Sequence, residues 1–145
     1  MDGMRQAMIC AFLLIALLYP ARARAATCPN LSVHPGITTV FLQTDFGEKD
    51  AGTKAYIAGL EAAIKKYPSF CLVEDLRAAS FALDLAGVDL GEDHERAAIS
   101  VVIISEKGTL VSHWIRLSSI ENVDKNSQDD VVKVDRAIQR YKRHR

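Results

Sequence analysis

Glu92-Asp93-His94-Glu95 places four side chains able to ligate a divalent ion in one short stretch. Carboxylates and imidazole suit such ions, and a loop would let them converge. Asp93, His94 and the more distant His113 are therefore the residues on which a metal site would rest. Two features argue against one. Neighbouring residues in an extended loop point apart, and no H-x-H or H-E-x-x-H spacing is present. A solvated charged turn accounts for the same residues. His113 would meet His94 only if the fold brought loop and hairpin together. His34 and His144 lie in terminal segments.

Nucleophilic catalysis needs a Ser, Cys or Thr beside a base. Ser100, Ser105 and Ser112 fall in or at the ends of predicted strands, and no G-x-S-x-G elbow exists. Asp45, Asp84 and Asp89 could pair as carboxylates, but spacing alone does not bring them together. Asp84 interrupts an apolar strand, as expected for the solvent side of a half-covered sheet. Residues 45–52 lack the glycine spacing of a phosphate loop. No catalytic residue and no cofactor are expected. Trp114 is the single tryptophan. With Leu110, placed on the same face by a period of two, it could form an apolar patch for a partner. Its alternation with Val111, Ile115 and Leu117 fits a core position equally well. Arg140, Lys142 and Arg143 could touch lipid head groups or an acidic partner, although a helix dipole also favours basic residues there.

The elements that would position these residues follow from periodicity. Thr38–Thr44 is rich in β-branched and aromatic residues and predicts a strand. Thr53–Tyr67 predicts a helix whose stripe is Tyr56, Ile57, Leu60, Ala63, Ile64 and Tyr67, stopped by Pro68. Phe70–Glu74 and Phe81–Leu90 predict two strands, with Gly87 as a possible bulge site. Ala97–Ser105 is apolar on both faces and predicts a central strand. Glu106-Lys107-Gly108 predicts a hairpin turn into a return strand, Thr109–Leu117. A last helix is expected from Ser127, with Ser127 and Asp130 as its cap and Val131, Val134, Ile138 and Tyr141 as its stripe. The order is strand, helix, four strands, helix. The first three elements predict a right-handed parallel crossover. Short later connections predict an antiparallel meander. The expected class is α+β: a two-layer sandwich with a mixed, mostly antiparallel sheet and both helices on one face.

Residues 1–25 read as a signal peptide. Arg5 lies in a short leading region, Ala7–Tyr19 is apolar, and Ala21, Ala23 and Ala25 supply A-x-A sites. The apolar run is shorter than the ~20 residues of a spanning helix. The expected location is the periplasm or outside the cell, with residues 26–37 irregular and 38–145 forming one domain. Residues 1–25 hold three of the 18 basic and one of the 18 acidic residues, so the remainder carries 15 and 17, a formal charge of −2. That balance argues against nucleic acid as a partner. Membrane association would need the basic C-terminal tail or an uncleaved signal. Cys10 lies in the signal, which leaves Cys28 and Cys71. An even pair in an exported chain predicts one disulfide.

From Thr38 onward the order of Tyr67–Val73, Ala79–Leu83, Ile99–Ile104 and Gly108–Val111 resembles small extracytoplasmic domains of bacterial envelope proteins. The N-terminal domain of TolB-type periplasmic proteins and domains of outer-membrane assembly lipoproteins share this layout. The resemblance implies an assembly or interaction role and assigns no functional residue. The expected function is a noncatalytic envelope module that binds a protein partner or a second copy of itself. The alternative is a small-ligand or metal-binding protein, or a weak hydrolase, built on residues 92–95.

Overall fold

The computed structural model describes residues 36–47 and 49–144. Cys28 and the leading segment lie outside the described residues. The elements run β1 (Thr38–Asp45), α1 (Ala51–Lys66), β2 (Phe70–Leu72), β3 (Phe81–Leu90), β4 (Arg96–Ser105), β5 (Leu110–Ser119) and α2 (Val123–Arg143). One five-stranded sheet has the order β2-β1-β3-β4-β5. Both helices pack on one face of it, which gives the expected α+β sandwich.

The core lies between sheet and helices. Val40, Leu83, Leu85, Ile99, Val101 and Ile103 rise from the strands, and Tyr56, Leu60, Ile64, Val131, Val134 and Ile138 meet them from α1 and α2. The alternation along β3 and β4 produces this layer, because residues two apart share a face. Gly108, at a φ of 75°, makes the β4–β5 turn, where a left-handed backbone favours glycine.

The sheet order departs from a simple meander. β3 does not pair with β2; it lies parallel to β1 on the other side. Only β3-β4-β5 forms the antiparallel run. The connection after β2 is long enough to cross β1 on the face away from the helices. Val73 donates its N–H to Val40 O at 2.9 Å, and Ser80 donates to Thr39 O at 3.1 Å. Val73 and Ala79 thereby form a small second cluster with Cys71, against which Ile37 and Phe41 pack. A one-turn helix, Leu76–Ala78, sits in this connection, with Asp75 accepting from the Arg77 N–H.

Three further expectations are corrected. Gly87 marks no bulge, since it pairs in register with Ile99. It is small because α1 passes over it: a Cβ there would lie 2.4 Å from Thr53 Cγ2. The last helix begins at Val123, not Ser127. Ser127 and Asp130 therefore sit inside the helix, buried, and cap nothing. Finally, β5 carries a register shift. Ile103 pairs with Ser112, but Ile104 pairs with Leu110, leaving Val111 as the extra residue. A bulge of this kind reverses the facing of every residue beyond it.

Candidate functional site

The residues with most chemistry in the sequence do not converge. Glu92–Glu95 forms an exposed turn between β3 and β4. Asp93 accepts from the Glu95 N–H at 3.2 Å, a local bond within the turn. His94 adopts a φ of 54° and lies 3.6 Å from Asp89 through Nδ1. His113 pairs with Val102, whereas the turn adjoins the Arg96–Ser119 end of the sheet. Six residues of strand, about 20 Å, separate the two ends. Among the described residues no three His, Cys, Asp or Glu side chains gather as metal ligands would.

Two carboxylates, which the sequence offered in other roles, hold the structure together. Asp89 is almost wholly buried and accepts from the N–H groups of Gly52 and Thr53 at 3.0 and 2.9 Å, and from the Thr53 hydroxyl at 3.0 Å. It serves α1 as a cap supplied from β3, because Asp50 makes no side-chain cap bond. Burial alone would raise its pKa. The two backbone donors, the hydroxyl and nearby His94 outweigh burial and hold it below the ordinary aspartate value.

Asp130 is completely buried on α2. Tyr56 donates its hydroxyl to Oδ2 at 2.5 Å, Trp114 Nε1 donates to Oδ1 at 3.2 Å, and Arg116 Nε donates to Oδ2 at 2.8 Å. Arg116 Nη2 completes a two-pronged ion pair with Oδ1. Burial, followed by the bond to Asp130, pushes the Tyr56 phenol far above its usual value. Asp130 in turn raises the Arg116 guanidinium. α1, α2 and β5 are joined at this point. The four donors converge on one buried carboxylate, and the arrangement acts as an anchor.

Trp114 belongs to that anchor. It is 9% exposed, its ring lies under Lys133 Nζ at 4.3 Å, and it is removed from any surface patch. Leu110 is exposed and on the opposite face, because the Val111 bulge separates the two residues in parity. At the chain's basic end Arg140 and Arg143 are exposed. Lys142 is exposed as well, but its Nζ reaches back to Thr38 Oγ1 at 2.8 Å and stitches α2 to β1.

What remains is the sheet face away from the helices. It presents Val88 on β3 and Ile115 and Leu117 on β5, at 58%, 74% and 68% exposure. Leu90 and Leu110 extend the same surface. Between the β3 and β5 side chains lie the small residues Ala98 and Ser100 of β4, which pair with Leu117 and Ile115. Ala86, Val88, Ala98, Ser100 and Ile115 line a trough of about 470 Å³, rimmed by Asp45, Phe46 and Asp50. β5 is also an edge strand, ten residues long. It has no proline or lysine, and its edge is interrupted by the Val111 bulge and the inward-facing Arg116. Exposed apolar side chains and a trough thus share the helix-free face next to this sheet edge.

No family model matches the chain, and no curated protein matches it. Among solved structures it is similar to a PelC variant dodecamer from Paraburkholderia phytofirmans, at 14% identity and a TM-score of 0.42, covering 65% of this chain and 81% of that one. Similarity at this level transfers neither activity nor assembly. No helix among the described residues is long and apolar enough to cross a membrane.

Proposed function

We propose that this chain is a noncatalytic, exported binding module that docks protein through the helix-free face of its sheet. The observation that carries this reading is the exposed row Val88, Ile115 and Leu117 beside the open β5 edge. Isolated exposed apolar side chains are ordinary. Several sharing one flat face and flanking a trough are not, since contiguous patches of this kind mark interaction sites. Residues 1–25, with the features of a signal peptide, support export. The resemblance of the layout to envelope domains points the same way.

The experiment is capture of a tagged chain from a cross-linked envelope extract, with Ile115→Asp as control. A partner, whether another protein or a further copy of the chain, is expected with the wild type and lost in the variant. Equal capture by both would remove this face from the function. The site proposed earlier at Trp114 would give a different result: Trp114→Ala would abolish binding by disturbing the fold, with a matching loss of thermal stability.

A further inference from the structure

We infer that the occupant of the bare sheet face is a second copy of this chain, docked face to face about a two-fold axis running along β4. This rests on the binding-module reading above and names its partner.

Size is the first support. Three strands, β3 to β5, about 4.8 Å apart and ten residues long, make a bare face of roughly 480 Å². A single added strand of that length would cover only about 160 Å² of it. A stable interface of ordinary size takes about 800 Å² from each partner. A second sheet face comes about three times closer to that requirement than one extended peptide laid on the face.

Relief is the second. Ile115 and Leu117 form a ridge along β5, and Ala86 and Val88 on β3 form one wall of the trough. A two-fold axis parallel to the strands and centred on β4 lays β5 of one copy over β3 of the other. Ile115 of each copy then lies over the small Ala86 that lines its partner's trough, and Leu117 lies over Val88, with Ala98 and Ser100 on the axis. Sheets packed in this way keep their strands nearly aligned, about 10 Å apart, which leaves room for one interdigitated layer of side chains. The interface would be isologous and closed, as a dimer requires.

Charge is the third. On the same face Asp84 of β3 and His113 of β5 both pair with Val102, from opposite sides. The same axis places Asp84 of each copy over His113 of its partner. One acceptor and one donor of hydrogen bonds thus meet twice across the interface.

The test is sedimentation equilibrium of the exported chain with its cysteines oxidised. The wild type is expected to be a dimer. Ile115→Asp is expected to weaken association about a hundredfold or more, since both copies lose a central apolar contact. An unchanged thermal melt at low protein concentration would show that the variant folds, and Leu117→Asp provides a second substitution on the same ridge. Asp84→Lys is expected to weaken the dimer, and Asp84→Lys combined with His113→Asp to restore it. A dimer indifferent to Ile115→Asp and Leu117→Asp would overturn the proposal, as would a double variant no tighter than Asp84→Lys alone. A monomeric wild type that captures a different protein through Ile115 would overturn the second copy as occupant and leave the binding module standing. A monomer that captures nothing would overturn both.

Discussion

Asp130 accepts from a phenol, an indole and a guanidinium in a space without solvent. A buried carboxylate survives only when paired and fully hydrogen-bonded. Asp130→Ala would leave the Arg116 charge half-buried without its partner, together with two orphaned donors. The expected loss is about 3–5 kcal/mol of unfolding free energy, measured by urea denaturation. Because Trp114 is the only tryptophan and binds Asp130, its fluorescence should shift in the same variant under native conditions. Asp89 gives a prediction in pH. Its folded pKa lies below the unfolded one, so its contribution is fully present above about 4, the ordinary aspartate value, and is lost as pH falls through the folded pKa. Asp89→Asn should therefore be less stable than wild type at neutral pH. The gap between the two should narrow as pH falls through that acid window, as read from melting temperatures. A constant gap would mean that the amide replaces only shape and that charge has no part. Neither carboxylate was legible as a partner in the sequence. Asp130 lies three residues after Ser127 at what reads as a helix start, where that spacing means a cap. Asp89 lies 36 residues from the amide that it serves, and no local pattern reports such a distance.

At the scale of elements, close approach decides what side chains are tolerated. Gly87 lies under Thr53, and an added methyl would meet Cγ2 at 2.4 Å and Oγ1 at 2.9 Å. Gly87→Ala is expected to cost about 1–3 kcal/mol by overpacking. Thr53→Ser keeps the hydroxyl that binds Asp89 but removes the nearer clashing atom. Combined with Gly87→Ala it should recover part of the loss, and a double-mutant cycle in denaturant measures the coupling. Much of the element pattern was legible. β4 is apolar on both faces because its outer side lies at the centre of the bare face while its inner side meets the helices. Gly108 announced its turn, and the stripe of α1 fell where its period placed it. The start of α2 was hidden because Asp124, Lys125 and Asn126 are polar and resemble a loop, while Val123 and Ser127 alone face inward in that turn. The strand order was hidden because the segment from Asp75 to Ser80 is short enough for a hairpin, yet with Val73 and Glu74 it can cross β1. The single residue inserted at Val111 reversed the facing of Leu110, since a period of two has no memory across a bulge.

For the molecule as a whole, the helices protect one side of the sheet and the connection after β2 protects one corner of the other. That corner contains Cys71, 2% exposed beside Val73 and Ala79. A disulfide from Cys71 to Cys28 would close a loop that includes β1, α1 and β2. Such a loop restricts the unfolded chain most, and its loss is expected to cost about 3–4 kcal/mol. The bond and the bare face lie at different parts of the sheet, and this separates their consequences. Cys28→Ser should lower the melting temperature of the oxidised chain while leaving association through Ile115 intact at temperatures below the transition. Ile115→Asp should do the reverse: the intrinsic stability of the isolated chain is expected to change by no more than about 0.5 kcal/mol, as for a surface position. Calorimetry across a range of protein concentrations distinguishes the two, because a melting temperature linked to assembly rises with concentration. In the wild type and Cys28→Ser that rise should persist, and in Ile115→Asp it should vanish. A Cys28→Ser chain whose melting temperature no longer depends on concentration would mean that the leading segment helps to form the docking face. The tether would then belong to the interface as well as to the fold.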